Sequence, residues 1–160
     1  MSRELIGTAL ILLVVIIALN IYRKVRLRRA AQEAELPQPA SAVAGDAIFS
    51  GFYVATVFAD RPLERVWAFG LGSRGKATVS ASENGLSVQR TGEQGFQIPL
   101  GDIVSVGRAR ATIDRAVEKH GLLQISWRLG ETELLTSFRV IQDPDKCFKQ
   151  LKEAAGVDSE

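Results

Sequence analysis

Residues 133–156, ELLTSFRVIQDPDKCFKQLKEAAG, hold the change of period that decides the fold. ELLTSFRVI (133–141) is rich in β-branched and aromatic residues, the composition of a strand. Asp143 and Pro144 then switch the pattern. An Asp at the N-cap offers its side-chain oxygen to the free N–H groups of a first helical turn, and proline fits the first helical position. From there Phe148, Leu151 and Ala155 recur at helical spacing, flanked by Cys147 and Ala154, so one face is apolar. Gly156 is a suitable stop. A strand therefore runs into one short amphipathic helix with a single stripe to bury.

Upstream of this stretch the chain reads as strand after strand. LLQISWRL (122–129) places Leu123, Ile125, Trp127 and Leu129 on one face, and Glu131-Thr132 turns it into the next strand. GFYVATVFA (51–59) and ERVWAFGLG (64–72) are separated by the break Asp60-Arg61-Pro62. KATVSAS (76–82) alternates and meets GLSVQRTG (85–92) across Asn84-Gly85, whose positive φ angles suit a tight hairpin turn. FQIPL (96–100) and DIVSVGRAR (102–110) form a further strand pair or one bent strand. ATIDRAVEKHG (111–121) is ambiguous: Ile113, Ala116 and Val117 have helical spacing, while Glu118–Gly121 also reads as a hairpin tip. A loop and a strand entering a hairpin is the preferred reading. About seven antiparallel strands closed by one C-terminal helix is the order of a mainly β, pleckstrin-homology-like (PH-like) open barrel over 47–157, in which the helix plugs one end. SH3-like and OB barrels place their helix differently or have fewer strands.

The N-terminus is of another kind. Leu5 to Tyr22, LIGTALILLVVIIALNIY, contains no charge. Eighteen residues at ~1.5 Å each make ~27 Å of helix, close to the hydrocarbon thickness of a bilayer. Arg23, Lys24, Arg26, Arg28 and Arg29 follow, against Arg3 and Glu4 before it. Basic residues beside a span stay on the cytoplasmic side, so a single-pass anchor at residues 5–22 is expected in the cell (plasma) membrane. Its N-terminus is then outside and its C-terminal domain cytoplasmic. A cleaved signal peptide needs its positive charge before the apolar run and a small-residue cleavage site after it; here the charge lies on the other side, and Asn20-Ile21-Tyr22-Arg23 offers no such site. The five basic residues are candidates for fixing topology and for contact with anionic lipid. Residues 23–46 join anchor to barrel: the first half can extend the helix into water, Pro37 and Pro39 stop it, and 36–46 reads as a tether.

Charge and composition exclude several classes. Residues 1–46 hold six Lys/Arg and four Asp/Glu, while 47–160 hold fourteen of each, so the domain is neutral and no nucleic-acid partner is expected. One Cys and one His rule out an internal disulfide and a Cys/His metal cluster, and no cofactor is expected. His120 lies in a turn-like segment, and Cys147 reads as a small core hydrophobe. GLGSRGKATV (70–79) has the Gly-to-Gly-Lys spacing of a phosphate loop. However, Ala77 stands where Ser or Thr is required, and a strand follows in place of a helix. Arg108, Arg110, Arg115 and Lys119 are the densest basic stretch of the domain and form a candidate recognition patch. The competing reading is a solvated strand edge, where charge discourages edge pairing.

The same residues carry a family resemblance. The N-terminal span with its basic cluster, the Pro-containing tether, GFYVAT, ERV, GLGSRGKATV, LSVQRTG, IPL–DI, GLLQISWRLG and a Phe-Arg pair together resemble the bacterial membrane-anchored PH-like domain proteins, often labelled probable export or membrane proteins or transporters. The resemblance covers nearly the whole chain and implies the fold and the single anchor. It carries no catalytic motif. The expectation is a membrane-tethered, non-enzymatic interaction module. Its partners would be the bilayer, anionic lipid and an unidentified membrane or cytoplasmic protein. The alternatives are an accessory subunit of a transport or export complex and a lipid or small-ligand sensor.

Overall fold

The computed structural model describes residues 2–108, 111–112, 115–116 and 122–156. A single helix, α1, runs from Ser2 to Glu35. It has no proline or glycine between Gly7 and Glu35, and at ~1.5 Å per residue it is ~50 Å long. Its apolar residues from Leu5 to Tyr22 are exposed, and it is long and apolar enough to cross a membrane.

Seven strands form one antiparallel open sheet: β1 Asp46–Phe58, β2 Gly75–Ser82, β3 Gly85–Arg90, β4 Phe96–Pro99, β5 Ile103–Arg108, β8 Leu122–Leu129 and β9 Thr132–Arg139. Their order is β4-β3-β2-β1-β9-β8-β5. Two-residue strands β6 (Ala111–Thr112) and β7 (Arg115–Ala116) pair with each other in the segment that reads ambiguously from sequence. The β2–β3 hairpin turns at Asn84-Gly85, with Gly85 at φ 150°, and β8–β9 pairs in register from Leu122↔Arg139 to Leu129↔Thr132.

The 13-residue β1 makes the curvature. Its first half pairs with β2 and its second with β9, and the register slips between Ala47 and Phe49 and again between Tyr53 and Ala55. Such bulges bend a strand and increase its twist, which curls the sheet around a core. That core holds Phe49, Tyr53, Phe96, Trp127 and Phe138, with Tyr53 edge-on to both Phe96 and Phe138 and Phe96 stacked on Trp127.

Helix α2, Pro144–Ala154, closes the barrel as its stripe requires. Asp143 caps it, accepting from the Lys146 N–H, and Cys147, Leu151 and Ala155 are buried in the core cluster while Phe148 packs partly against it.

Three local readings differ from the sequence expectation. FQIPL and DIVSVGRAR neither pair with each other nor form one strand: β4 pairs with β3 and β5 with β8, around a 3₁₀ turn at 100–102. ERVWAFGLG is not a strand. It lies along the second half of β1, but with one isolated bridge, Val57↔Arg65, before a tight turn at Ala68–Gly70. The tether is not free chain. Leu36 is 5% exposed, Gln97 N–H donates to Ala40 C=O (2.8 Å), Ser41 bridges Phe96, and the Ser87 hydroxyl accepts from Val43 N–H (3.1 Å) and donates to Val43 C=O (2.7 Å). Residues 36–43 therefore cover the β4 edge, satisfying backbone groups that an open edge would leave bare.

Candidate functional site

The turn at 68–70 is where α1 meets the barrel. Phe69 (φ 53°) and Gly70 (φ 70°) are both left-handed. That conformation suits Gly70 and costs a Phe of order 1–3 kcal/mol, so it persists only where the surroundings over-determine it. They do so from two sides.

From the helix side, Gln32 Oε1 accepts from Trp67 N–H (2.6 Å) and Ala68 N–H (3.2 Å), and Gln32 Nε2 donates to Arg65 C=O (3.2 Å). Glu33 Oε1 accepts from Phe69 N–H (3.2 Å) and from Arg29 Nε (2.8 Å). These bonds hold the backbone of 67–69 in the turn, where ERVWAFGLG leaves the extended course of a strand. From the barrel side, Arg90 Nη1 donates to Gly70 C=O (2.7 Å) and Nη2 to Phe69 C=O (3.4 Å), while its guanidinium sits over the Tyr53 ring (5.0 Å) and the Phe96 ring (5.2 Å). Tyr53 Oη donates to Leu71 C=O (2.7 Å). A carboxylate thus holds the N–H end of the turn and a guanidinium its C=O end, both through charge-assisted hydrogen bonds.

Behind Tyr53 the polar chain continues into the core. Its hydroxyl meets Thr56 Oγ1, which meets Thr136 Oγ1 (2.7 Å), which accepts from Trp127 Nε1 (2.8 Å). Among the described residues no buried side-chain N or O lacks a partner, so this network rigidifies the barrel beneath the turn. Burial pushes the Tyr53 phenol well above its ordinary range, against the weaker pull of its hydrogen bond to Thr56, so it stays a neutral donor. The hydrogen bond from Arg29, then that from Phe69 N–H, holds the Glu33 carboxyl below its ordinary range.

The basic cluster lies on the same helix, about one to two and a half turns nearer its apolar segment. Arg23, Lys24, Arg26, Arg28 and Arg29 are spread around the helix at 100° per residue, so positive charge rings it. Arg26 lies over the Tyr22 ring (6.0 Å) and Arg29 pairs with Glu33. Arg28 opens onto a cleft of 860 Å³ between α1 and the β1–β2 loop.

Of the sequence-derived patch, Arg108 ends β5 and is held within the domain: it pairs with Asp145 and covers the Phe148 ring (4.6 Å). Arg115 lies in β7, and Arg110 and Lys119 lie outside the described residues, as does His120. Cys147 is buried, which pushes its thiol up and leaves it a core residue. Among the described residues no group of His, Cys, Asp and Glu could hold a metal ion. Sequence reading missed Gln32, Glu33 and Arg90. For the first two the available signal was Gln32-Glu33, a polar pair on a helix placed just before the helix-ending prolines.

The chain matches the model of a family described as bacterial PH domain-like over residues 33–155, from the docked end of α1 to the end of α2. No curated protein matches it.

Proposed function

Because the chain belongs to the bacterial PH domain-like family, we propose that it is a membrane-tethered module that acts by binding, with its barrel held on the cytoplasmic face. The observation that carries this is α1: one unbroken helix is apolar over Leu5–Tyr22, ringed by five basic residues, and fastened at Gln32 and Glu33 to the domain. The apolar part supplies location, the basic ring supplies direction by the positive-inside rule, and the docking supplies a fixed presentation of the barrel. Binding in preference to catalysis is supported by the chemistry at hand: the one cysteine is a buried, protonated core residue.

Full-length protein should stay with membranes through high-salt and alkaline washes. A reporter fused at Glu160 should work only if its activity needs the cytoplasm; activity of a periplasm-dependent reporter there refutes the orientation. Proximity labelling from the same terminus should return a defined protein set. Crosslinks confined to the span, with none from the barrel, would favour the second reading, an accessory subunit of a transport or export complex. The exposed apolar surface of α1 over Leu5–Tyr22, free to pack against other spans, is the observation that supports that reading.

A further inference from the structure

We propose that the outer face of the sheet around Phe52 is a docking site for an extended acidic segment of a partner protein. Its carboxylates are held by Lys76 and Arg139, on either side of an apolar side chain laid on Phe52. This rests on reading the chain as a binding module, and it names a surface and a partner for that role. Strand alternation builds the surface. Phe49 and Tyr53 of β1 and Ala77 and Val79 of β2 are buried, so Ser50 and Phe52, Lys76 and Thr78 are left on the outer side. Phe52 stands opposite Lys76 of β2 and opposite Arg139 of β9, which makes one cation–aromatic–cation row across three strands. Ser50 and Thr78, joined by a hydrogen bond (3.1 Å), and Gln89 of β3 make the next row. Ile141 and Gln142, between β9 and α2, complete the lining of a groove of 670 Å³.

Two observations give the chemistry of the occupant. The first is uncovered apolar surface: Phe52 is 45% exposed and Ile141 72% exposed. The second is charge with no internal counterpart. Arg61 is held by Asp60 and Glu64, Arg90 by the carbonyls of Gly70 and Phe69, and Arg108 by Asp145. Among the described residues Lys76 and Arg139 have no ion pair. Asp143, beside Gln142, is turned to α2, where it accepts from Lys146 N–H (3.2 Å). The spacing suits a peptide. Two strand separations put the backbones of Lys76 and Arg139 ~10 Å apart. Residues i, i+2 and i+4 of an extended segment share one face and span ~13 Å, a difference that the long Lys and Arg side chains take up. Acidic residues at i and i+4 then reach the two cations while an apolar residue at i+2 covers Phe52. A single phosphate reaching both cations would set its charge on the Phe52 ring, whose face is itself electron-rich.

The test uses the full chain in zwitterionic detergent micelles, titrated with a blocked synthetic peptide carrying Asp-Ser-Leu-Ser-Asp in a Gly/Ser frame, with backbone amides read by NMR. Saturable shifts should centre on Phe52, Lys76 and Arg139 and leave β5 unmoved. Lys76→Gln and Arg139→Gln should each weaken binding about threefold, the scale of one exposed ion pair, and Phe52→Ser about tenfold. Lys76→Glu with Arg139→Glu should lose this peptide and gain its Lys-Ser-Leu-Ser-Lys counterpart. If the Asp peptide moves nothing at Phe52, or the doubly reversed chain binds both peptides as the parent does, the site is refuted. If the peptide is inert and the same amides move when phosphatidylglycerol is added to the micelles, the anion is a lipid and the protein-segment assignment is refuted. In cells, a protein set labelled from Glu160 that persists unchanged in the doubly reversed chain would refute this surface and leave the binding role standing. No labelled set from the parent would overturn both.

Discussion

Truncating Gln32 to alanine removes three hydrogen bonds between helix and barrel: those from Trp67 N–H and Ala68 N–H, and that to Arg65 C=O. They are not equal. Ala68 is 0% exposed, so its N–H finds no water once Gln32 is gone, and an unsatisfied buried donor costs ~1–3 kcal/mol. The groups at Trp67 and Arg65 are nearer solvent and regain water, so ~2 kcal/mol is the expected total. A domain of about 120 residues unfolds with ~0.25 kcal/mol/K of entropy, so the melting temperature of the full chain in detergent micelles should fall by about 8 °C. Amide exchange should rise at Ala68 and Phe69 before it rises in β8. Gln32→Glu keeps the accepting oxygen for Ala68 N–H but turns a carboxylate oxygen toward Arg65 C=O, so it should recover only part of the stability lost by Gln32→Ala. A Gln32→Ala chain that melts with its parent and exchanges no faster at Ala68 would show that the helix does not hold the turn.

Leu151 lies fully buried on the inner side of α2, so Leu151→Asp puts an unpaired charge in the core and should cost more than ~4 kcal/mol, read as loss of the cooperative melt. Arg90→Met loses the guanidinium bonds to Gly70 and Phe69 and the guanidinium stacked over Tyr53 and Phe96; ~2 kcal/mol of destabilisation by chemical denaturation is expected. Because the Glu33 carboxyl is held low when docked, its contribution is complete above the ordinary carboxyl range and is lost as pH falls through the lowered folded value. Phe69 amide exchange, corrected for its intrinsic rate, should therefore rise on acidification. Glu33→Gln should flatten that dependence, and added salt should weaken it.

What was legible in the sequence was local. The stripe Phe148, Leu151, Ala155 with its flank Cys147 after an Asp-Pro start, the Asn84-Gly85 turn, and the alternation of 122–129 each need only neighbours a few residues away, and each forms the element its pattern implies, although Cys147 is more deeply buried than Phe148. ERVWAFGLG misleads because its composition suits a strand, while its backbone N–H groups are claimed by side chains some 35 positions upstream. The tether misleads for the same reason: Ala40, Ser41 and Val43 look like linker until β3 and β4 are folded beside them. Arg108 reads as one of a basic run, yet its partners Asp145 and Phe148 arrive from the last helix. The left-handed Phe69 has no compositional mark at all; only the residues that clamp it explain it.

The unbroken, docked α1 has a consequence for how the protein meets others. A domain on a loose linker sweeps a hemisphere, and its encounters are diluted by that search volume. With α1 spanning a bilayer as proposed, the docking at Gln32 and Glu33 would carry the barrel in the plane of the membrane with one face down and at one height. Encounter becomes a two-dimensional problem in which only surfaces at that height compete. Inserting a glycine-rich hinge after Glu35 would restore the hemisphere, and a membrane-bound partner should then be captured more slowly at equal surface density.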